Sequence, residues 1–136
     1  MTEFFMPMKN VPTVTHQEKK AAVKDGCKVV YYEPPELRDA RAKFTAHLAK
    51  HRPDKPLNCG VRLTVKWCYH DHTGKHRDGE YRITKPDTDN LIKLLKDCMT
   101  TLGFWTDDCR VASEHNEKFW VTTSPSGIYI KVEELE

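Results

Sequence analysis

The chain has 136 residues, 38% of them hydrophobic and 31% charged, with a formal net charge of +2. That length fits one domain with a real core and is too short for two independent ones. No apolar run approaches the roughly 18 residues a membrane helix requires, and the opening MTEFFMPMKN lacks the basic head and long apolar stretch of a secretory signal, so a cytoplasmic protein is expected.

The first predicted element is a short strand over EFFM. The polar, Pro-containing stretch PMKNVPTVTHQEKKAAVKDG follows, and residues 9–26 read as a long basic loop or arm carrying Lys19, Lys20 and Lys24. The β-branched and aromatic content of CKVVYYE, Cys27 to Glu33, predicts a strand that ends at Pro34 and Pro35. From Glu36, Leu37, Ala40, Phe44 and Leu48 recur at helical spacing with basic residues largely elsewhere, and Pro53 stops that helix. Val61 to His70 alternates Val61, Leu63, Val65, Trp67 and Tyr69 against polar neighbours and predicts a strand. After the turn-rich HTGKHRDGEY, YRIT is expected to pair back as a short return strand.

A second amphipathic helix is predicted from about Asn90 to Leu102, its stripe formed by Leu91, Leu95, Cys98, Met99 and Leu102, with Gly103 as a left-handed stop. A turn and a strand through FWTDDCRVASEHNEKFW come next, then a last strand alternating Ile128, Ile130 and Val132. The order predicts a single α+β domain over residues 1–136: a mixed sheet of four to six strands with two helices on one face.

Charge divides along this order. Residues 36–86 carry twelve Lys/Arg against six Asp/Glu, whereas residues 87–136 carry five against ten. A basic middle suits a polyanion such as DNA or RNA, because neutralising phosphates releases counterions. Acidic clusters beside it would repel that polyanion unless cations intervene, which hints at a metal-dependent nucleic-acid enzyme.

The acids concentrate in KPDTDNLIK, Lys85 to Lys93. One aspartate at a helix mouth is explained by capping; two are not. In an extended segment, Asp87 and Asp89 would project to one side and converge on a hard cation. An EF-hand also begins D-x-D, but its required glycine and glutamate fall on Ile92 and Cys98, so that loop fails. Mg2+ fits better, since it binds through a few carboxylates, keeps several waters and shares the rest with a substrate phosphate. A further pair, Asp107 and Asp108, follows the second helix and joins this site if the next strand returns beside that helix. Lys93, one turn after Asp89, reads either as a surface ion pair or as a phosphate-holding group.

KPDTDNLIK followed by LGFWTDDCRV resembles the RusA family of crossover-junction (Holliday junction) endodeoxyribonucleases, common in bacteria and their phages. The resemblance is specific over Lys85 to Val111, looser through Lys118, and fades toward the N-terminus. It implies that Asp87, Asp89 and Asp108 are the essential metal-binding acids, that Asp107 is the acid beside the third, that Lys93 is the functional lysine, and that Lys118 falls at a basic position. It further implies a Mg2+-dependent homodimer, with Mn2+ able to substitute, that binds four-way DNA junctions and cuts two strands symmetrically in recombination and repair. The basic stretch from Arg38 to Lys85, with Lys19, Lys20 and Lys24, would grip backbone phosphates.

Other signals carry less. Five cysteines without a CxxC spacing read as reduced, mostly buried thiols. Cys68, His70, His72 and His76 could bind zinc, but a polar hairpin tip explains them more simply. Phe104 and Trp105 could stack on an unpaired base, or anchor the second helix to the sheet; His16 reads as a solvated loop residue. Three rival functions remain open: a non-catalytic branched-DNA-binding protein, a metal nuclease for another branched substrate, and a metal-buffering or scaffold protein without salt-sensitive DNA affinity.

Overall fold

The computed structural model describes residues 1–13, 20–24 and 28–136, with the backbone alone for 20–24 and 28–32. Lys19, His16 and Cys27 lie outside the described residues. Seven strands and two α-helices are seen there: β1 (Thr2–Pro7), β2 (Lys20–Lys24), β3 (Lys28–Tyr32), α1 (Pro35–Leu48), β4 (Val61–His70), β5 (Glu80–Tyr81), α2 (Thr88–Thr101), β6 (Val111–Val121) and β7 (Gly127–Glu134). Five of the strands form a mixed sheet in the order β1-β7-β4-β6-β5, and β2 and β3 form a separate antiparallel pair. Among the described strands only β4 and β6 pair in parallel. Parallel neighbours cannot be joined by a tight turn, and α2 lies within the long connection between them.

The two-residue alternation of β4 buries Val61, Leu63, Val65, Trp67 and Tyr69 on one face. Ile128, Ile130 and Val132 of β7 and Phe4 and Met6 of β1 join the same core. Against it lie Leu37, Ala40, Phe44 and Leu48 of α1 and Leu91, Leu94, Leu95, Cys98 and Met99 of α2. The Phe44 ring stands 6.0 Å from Trp67, fastening α1 to the central strand. Each fully buried Leu or Phe in this layer contributes about 1.5–3 kcal/mol, so the helices are held by the sheet rather than by their own propensity.

Two expectations change. Lys20–Lys24, within the stretch expected as loop, is a strand because it pairs residue for residue with β3. The return strand β5 does not pair back on β4: Glu80 and Tyr81 pair with Trp120 and Phe119 of β6. The loop before β5 is long enough to carry the chain from β4 past the end of β6 to its outer edge, and aspartates pin it. Asp71 accepts from the N–H and Oγ1 of Thr73 and from the N–H of His76. Asp78 reaches the β6–β7 loop, accepting from Thr122 N–H at 2.7 Å, Ser124 N–H at 3.0 Å and Ser124 Oγ at 2.6 Å.

These donors, the Ser124 hydroxyl first, hold the Asp78 carboxyl down at about 2. A depressed folded-state value means stabilisation that is complete above the ordinary aspartate range near ~4 and is lost as pH falls toward the folded value. Asp78→Ala therefore lowers the melting temperature at neutral pH, and its difference from the parent chain shrinks between about pH 4 and pH 2. Thermal melts by circular dichroism across that range check this; a pH-independent difference contradicts it.

Candidate metal centre and basic rim

The helix that presents the first acid pair is fastened at both ends. At its C-terminus Gly103 takes φ 82°, Gly103 N–H donates to Thr100 O and Phe104 N–H to Met99 O. That reverse turn satisfies two orphan carbonyls and needs a residue free to adopt positive φ. Beyond it, Phe104 and Trp105 are each 1% exposed, and Trp105 Nε1 donates to Thr100 Oγ1 at 2.7 Å. They anchor the helix, and burial removes both rings from any role in stacking on a base.

At the other end, β6 supplies the fastening. Trp67 Nε1 donates to Asn116 Oδ1 at 2.6 Å, and Asn116 Nδ2 donates to Thr88 O at 2.7 Å, so one amide joins the core tryptophan to the first residue of α2. Lys118 Nζ donates to Thr84 O and Pro86 O, 2.6 Å each. Glu114 pairs with Lys96 on the helix. Burial lowers the Lys118 pKa, with the neighbouring Arg82 charge acting the same way and Asp87 opposing both. Lys118, Arg82 and Asp87 therefore share one electrostatic neighbourhood.

Asp87 occupies the N-cap position, two residues earlier than expected, with φ −73° and ψ 140°, yet its side chain accepts no capping hydrogen bond. Its carboxylate is exposed and unspent. Asp89 lies in the first turn of α2 and is also exposed. The extended segment thus ends at Asp87, and the alternation expected to turn both acids one way does not apply, since Thr88 and Asp89 are helical. Both acids stand at the helix entry, one at the N-cap and one in the first turn. Lys85 and Lys93 are exposed on either side in sequence.

The second acid pair follows α2 in the chain. Asp107 caps a 3-10 turn, Asp108–Arg110, which packs against α2; its Oδ1 accepts from Cys109 N–H at 3.1 Å. That backbone donor, then the Asp108 side chain beside it, lowers the Asp107 pKa. Asp107 and Asp108 are exposed. β6 does return beside the helix as expected, but the residues it delivers to the mouth of α2 are Asn116 and Lys118. Among the described residues no three His, Cys, Asp or Glu side chains are grouped as a metal site. The donor set available at Asp87 and Asp89 is nonetheless of hard carboxylate oxygens open to solvent, which suits Mg2+ with waters and phosphate completing its shell.

Asn116 and Arg82 were missed in the sequence. The available signal was in β6, where Glu114, Asn116 and Lys118 put polar groups on the strand face directed toward α2. Lys20 lies on β2, and its side chain is outside the described residues. The histidines are engaged locally: His76 Nδ1 lies 2.5 Å from Glu80 Oε2 and its ring stacks on Trp120, while His70 and His72 pack edge to face. Of the four described cysteines, Cys98 is buried, Cys59 and Cys68 are half-buried and Cys109 is exposed, so fewer are sequestered than expected. No helix among the described residues is long and apolar enough to cross a membrane.

Comparison with known proteins supplies the context. Residues 9–133 match the family profile described as Endodeoxyribonuclease RusA. The chain is 30% identical over 111 residues to the crossover junction endodeoxyribonuclease rusA of Lactococcus phage r1t, covering 80% of this chain and 81% of the phage protein.

Proposed function

This chain belongs to the RusA endodeoxyribonuclease family, whose members hydrolyse phosphodiesters, and from that premise we propose that it is a Mg2+-dependent homodimer that resolves four-way DNA junctions by paired cuts during recombination and repair. The observation that carries the reading is the exposed acid pair at the start of α2, with the Asp87 carboxylate not used for capping and cationic side chains around it.

In this reading Asp87, Asp89 and Asp108 are ligands and Asp107 supports the third. The homodimer offers a second copy of each acid pair, so the set need not be completed within one chain. A divalent cation held by these acids would polarise the phosphodiester and make a bound water a better nucleophile. Lys93, on the solvent side of α2 one turn beyond Asp89, holds the scissile phosphate and offsets charge that develops on it. Lys85, Lys19 and Lys20 contact backbone phosphates, which position DNA without reading its sequence. Lys118 spends two of its three donors on Thr84 and Pro86, leaving one for a phosphate.

The test compares a four-way junction, a flap and a linear duplex with Mg2+, with Mn2+ and with chelator. Paired cuts in the junction that require a divalent ion are expected, with affinity falling steeply as salt rises. Preferential cutting of the flap points to another branched substrate; salt-sensitive binding without cutting under any metal points to a non-catalytic DNA-binding protein.

A further inference from the structure

We propose that Ile83 is an apolar prong that enters the base stack of branched DNA beside the acid pair, which rests on the reading of this site as one for junctions. The large hydrophobic residues exposed among those described are Met1, Tyr81 and Ile83, and Ile83 is 92% exposed. Two of these three lie just before Asp87, Tyr81 at the end of β5 and Ile83 in the segment that leads from it to α2. A single exposed isoleucine is ordinary on a protein surface. What sets this one apart is how firmly its flanks are held and what surrounds it.

Arg82 N–H donates to Lys118 O at 2.9 Å, and the Arg82 guanidinium donates to Thr84 Oγ1 at 3.2 Å and Lys85 O at 2.6 Å. The same guanidinium lies 4.3 Å from the Tyr69 ring centre and 4.5 Å from that of Trp120. Thr84 O is taken by Lys118 Nζ. The residues on both sides of Ile83 are therefore fixed to the core, Arg82 is turned inward, and the isoleucine stands outward on a backbone that need not be ordered on binding. Its branched side chain has little χ1 freedom to lose.

The surroundings favour DNA over a protein partner. Arg82, Lys85 and Lys118 flank the prong, and the acceptors the structure gives Arg82 are neutral oxygens, so its positive charge is not cancelled by a carboxylate there. Burial lowers the Arg82 pKa, and only Tyr69 opposes this. Phosphates drawn to these cations would bring the base step between them onto Ile83. Apolar side chains entering a step unstack it and kink the helix, and this is least costly where stacking is already interrupted, as at a branch point. The prong would thus favour junctions and hold the strand open next to Asp87.

The test uses the full chain with Ca2+ in place of Mg2+ and a four-way junction carrying 2-aminopurine beside the branch point. Saturating protein is expected to raise the fluorescence, Ile83→Ala to lose most of that rise with junction affinity nearly retained, and Ile83→Leu to keep it. With Mg2+, Ile83→Ala is expected to cut the paired junction severalfold more slowly and a junction with mismatched, pre-opened branch pairs at the parent rate. An unchanged fluorescence rise in Ile83→Ala, no rise in the parent, or equal slowing on both junctions overturns the prong while leaving the nuclease assignment intact. Failure of the parent chain to prefer a junction over duplex overturns the junction reading and the prong with it.

Discussion

Asp87→Asn is expected to abolish junction cleavage in Mg2+ while leaving junction binding within a few-fold of the parent. Losing a partner one shell removed from a metal commonly costs ~10–100-fold in activity or affinity, so loss of a direct carboxylate ligand should exceed ~100-fold. The fold should be indifferent to the change, because the Asp87 side chain makes no capping bond and its backbone, which accepts Leu91 N–H at 3.2 Å, is unaltered. That separates this substitution from one that merely unravels the helix. Single-turnover cleavage with a gel-shift measurement of affinity in Ca2+ provides the check; a variant cutting at the normal rate removes Asp87 from the ligand set.

Gly127→Ala is expected to cost a large part of the protein's stability without touching the acids. Gly127 opens β7 opposite Pro7 of β1 and Cys68 of β4, at φ 151°, where β1 passes unusually close. A Cβ there would lie 2.2 Å from Met6 O, 2.7 Å from Phe5 Cζ and 3.0 Å from Pro7 Cα. The first is a backbone oxygen held in the sheet and cannot swing away. Backbone strain of ~1–3 kcal/mol adds to overpacking of ~1–3 kcal/mol. The sum, roughly 2–6 kcal/mol, is a large part of the ~5–15 kcal/mol that keeps a domain folded. Urea denaturation of the two proteins measures it; a loss below ~1 kcal/mol would mean that β1 shifts away freely.

The sequence makes some of this architecture legible and hides the rest for physical reasons. β4 is plain because it is flanked by strands and buries every second residue, so burial writes its period directly into the chain. α2 is plain because its apolar stripe and Gly103 agree on where it runs and stops. β2 is hidden because KAAVK has little intrinsic strand character and takes its form from pairing with β3. β5 is found but misassigned, since its two residues carry no record of which neighbour they pair with.

In the candidate site, the residue types in KPDTDNLIK expose the acid pair, whereas its exact geometry depends on the helix beginning at Thr88, two residues before the apolar stripe suggests. The roles of Asn116 and Lys118 depend on the register of β6 against β4, which sets Asn116 opposite Val65 and Lys118 opposite Trp67. Register is a property of two segments about fifty residues apart, and no local pattern states it. Grouping of Asp108 with Asp87 and Asp89 is likewise non-local, and among the described residues no three such side chains form a metal site within the single chain.

Because α2 is tied by Asn116 at Thr88 and by Trp105 at Thr100, its residue count is locked: one inserted residue would rotate one anchorage by about 100° relative to the other. Relatives of this chain should therefore vary in length at the Asp71–Gly79 and Thr122–Ser126 bends and keep the interval from Thr88 to Trp105 constant. Gaps in an alignment would then mark out the strut that presents the acid pair as clearly as any shared side chain.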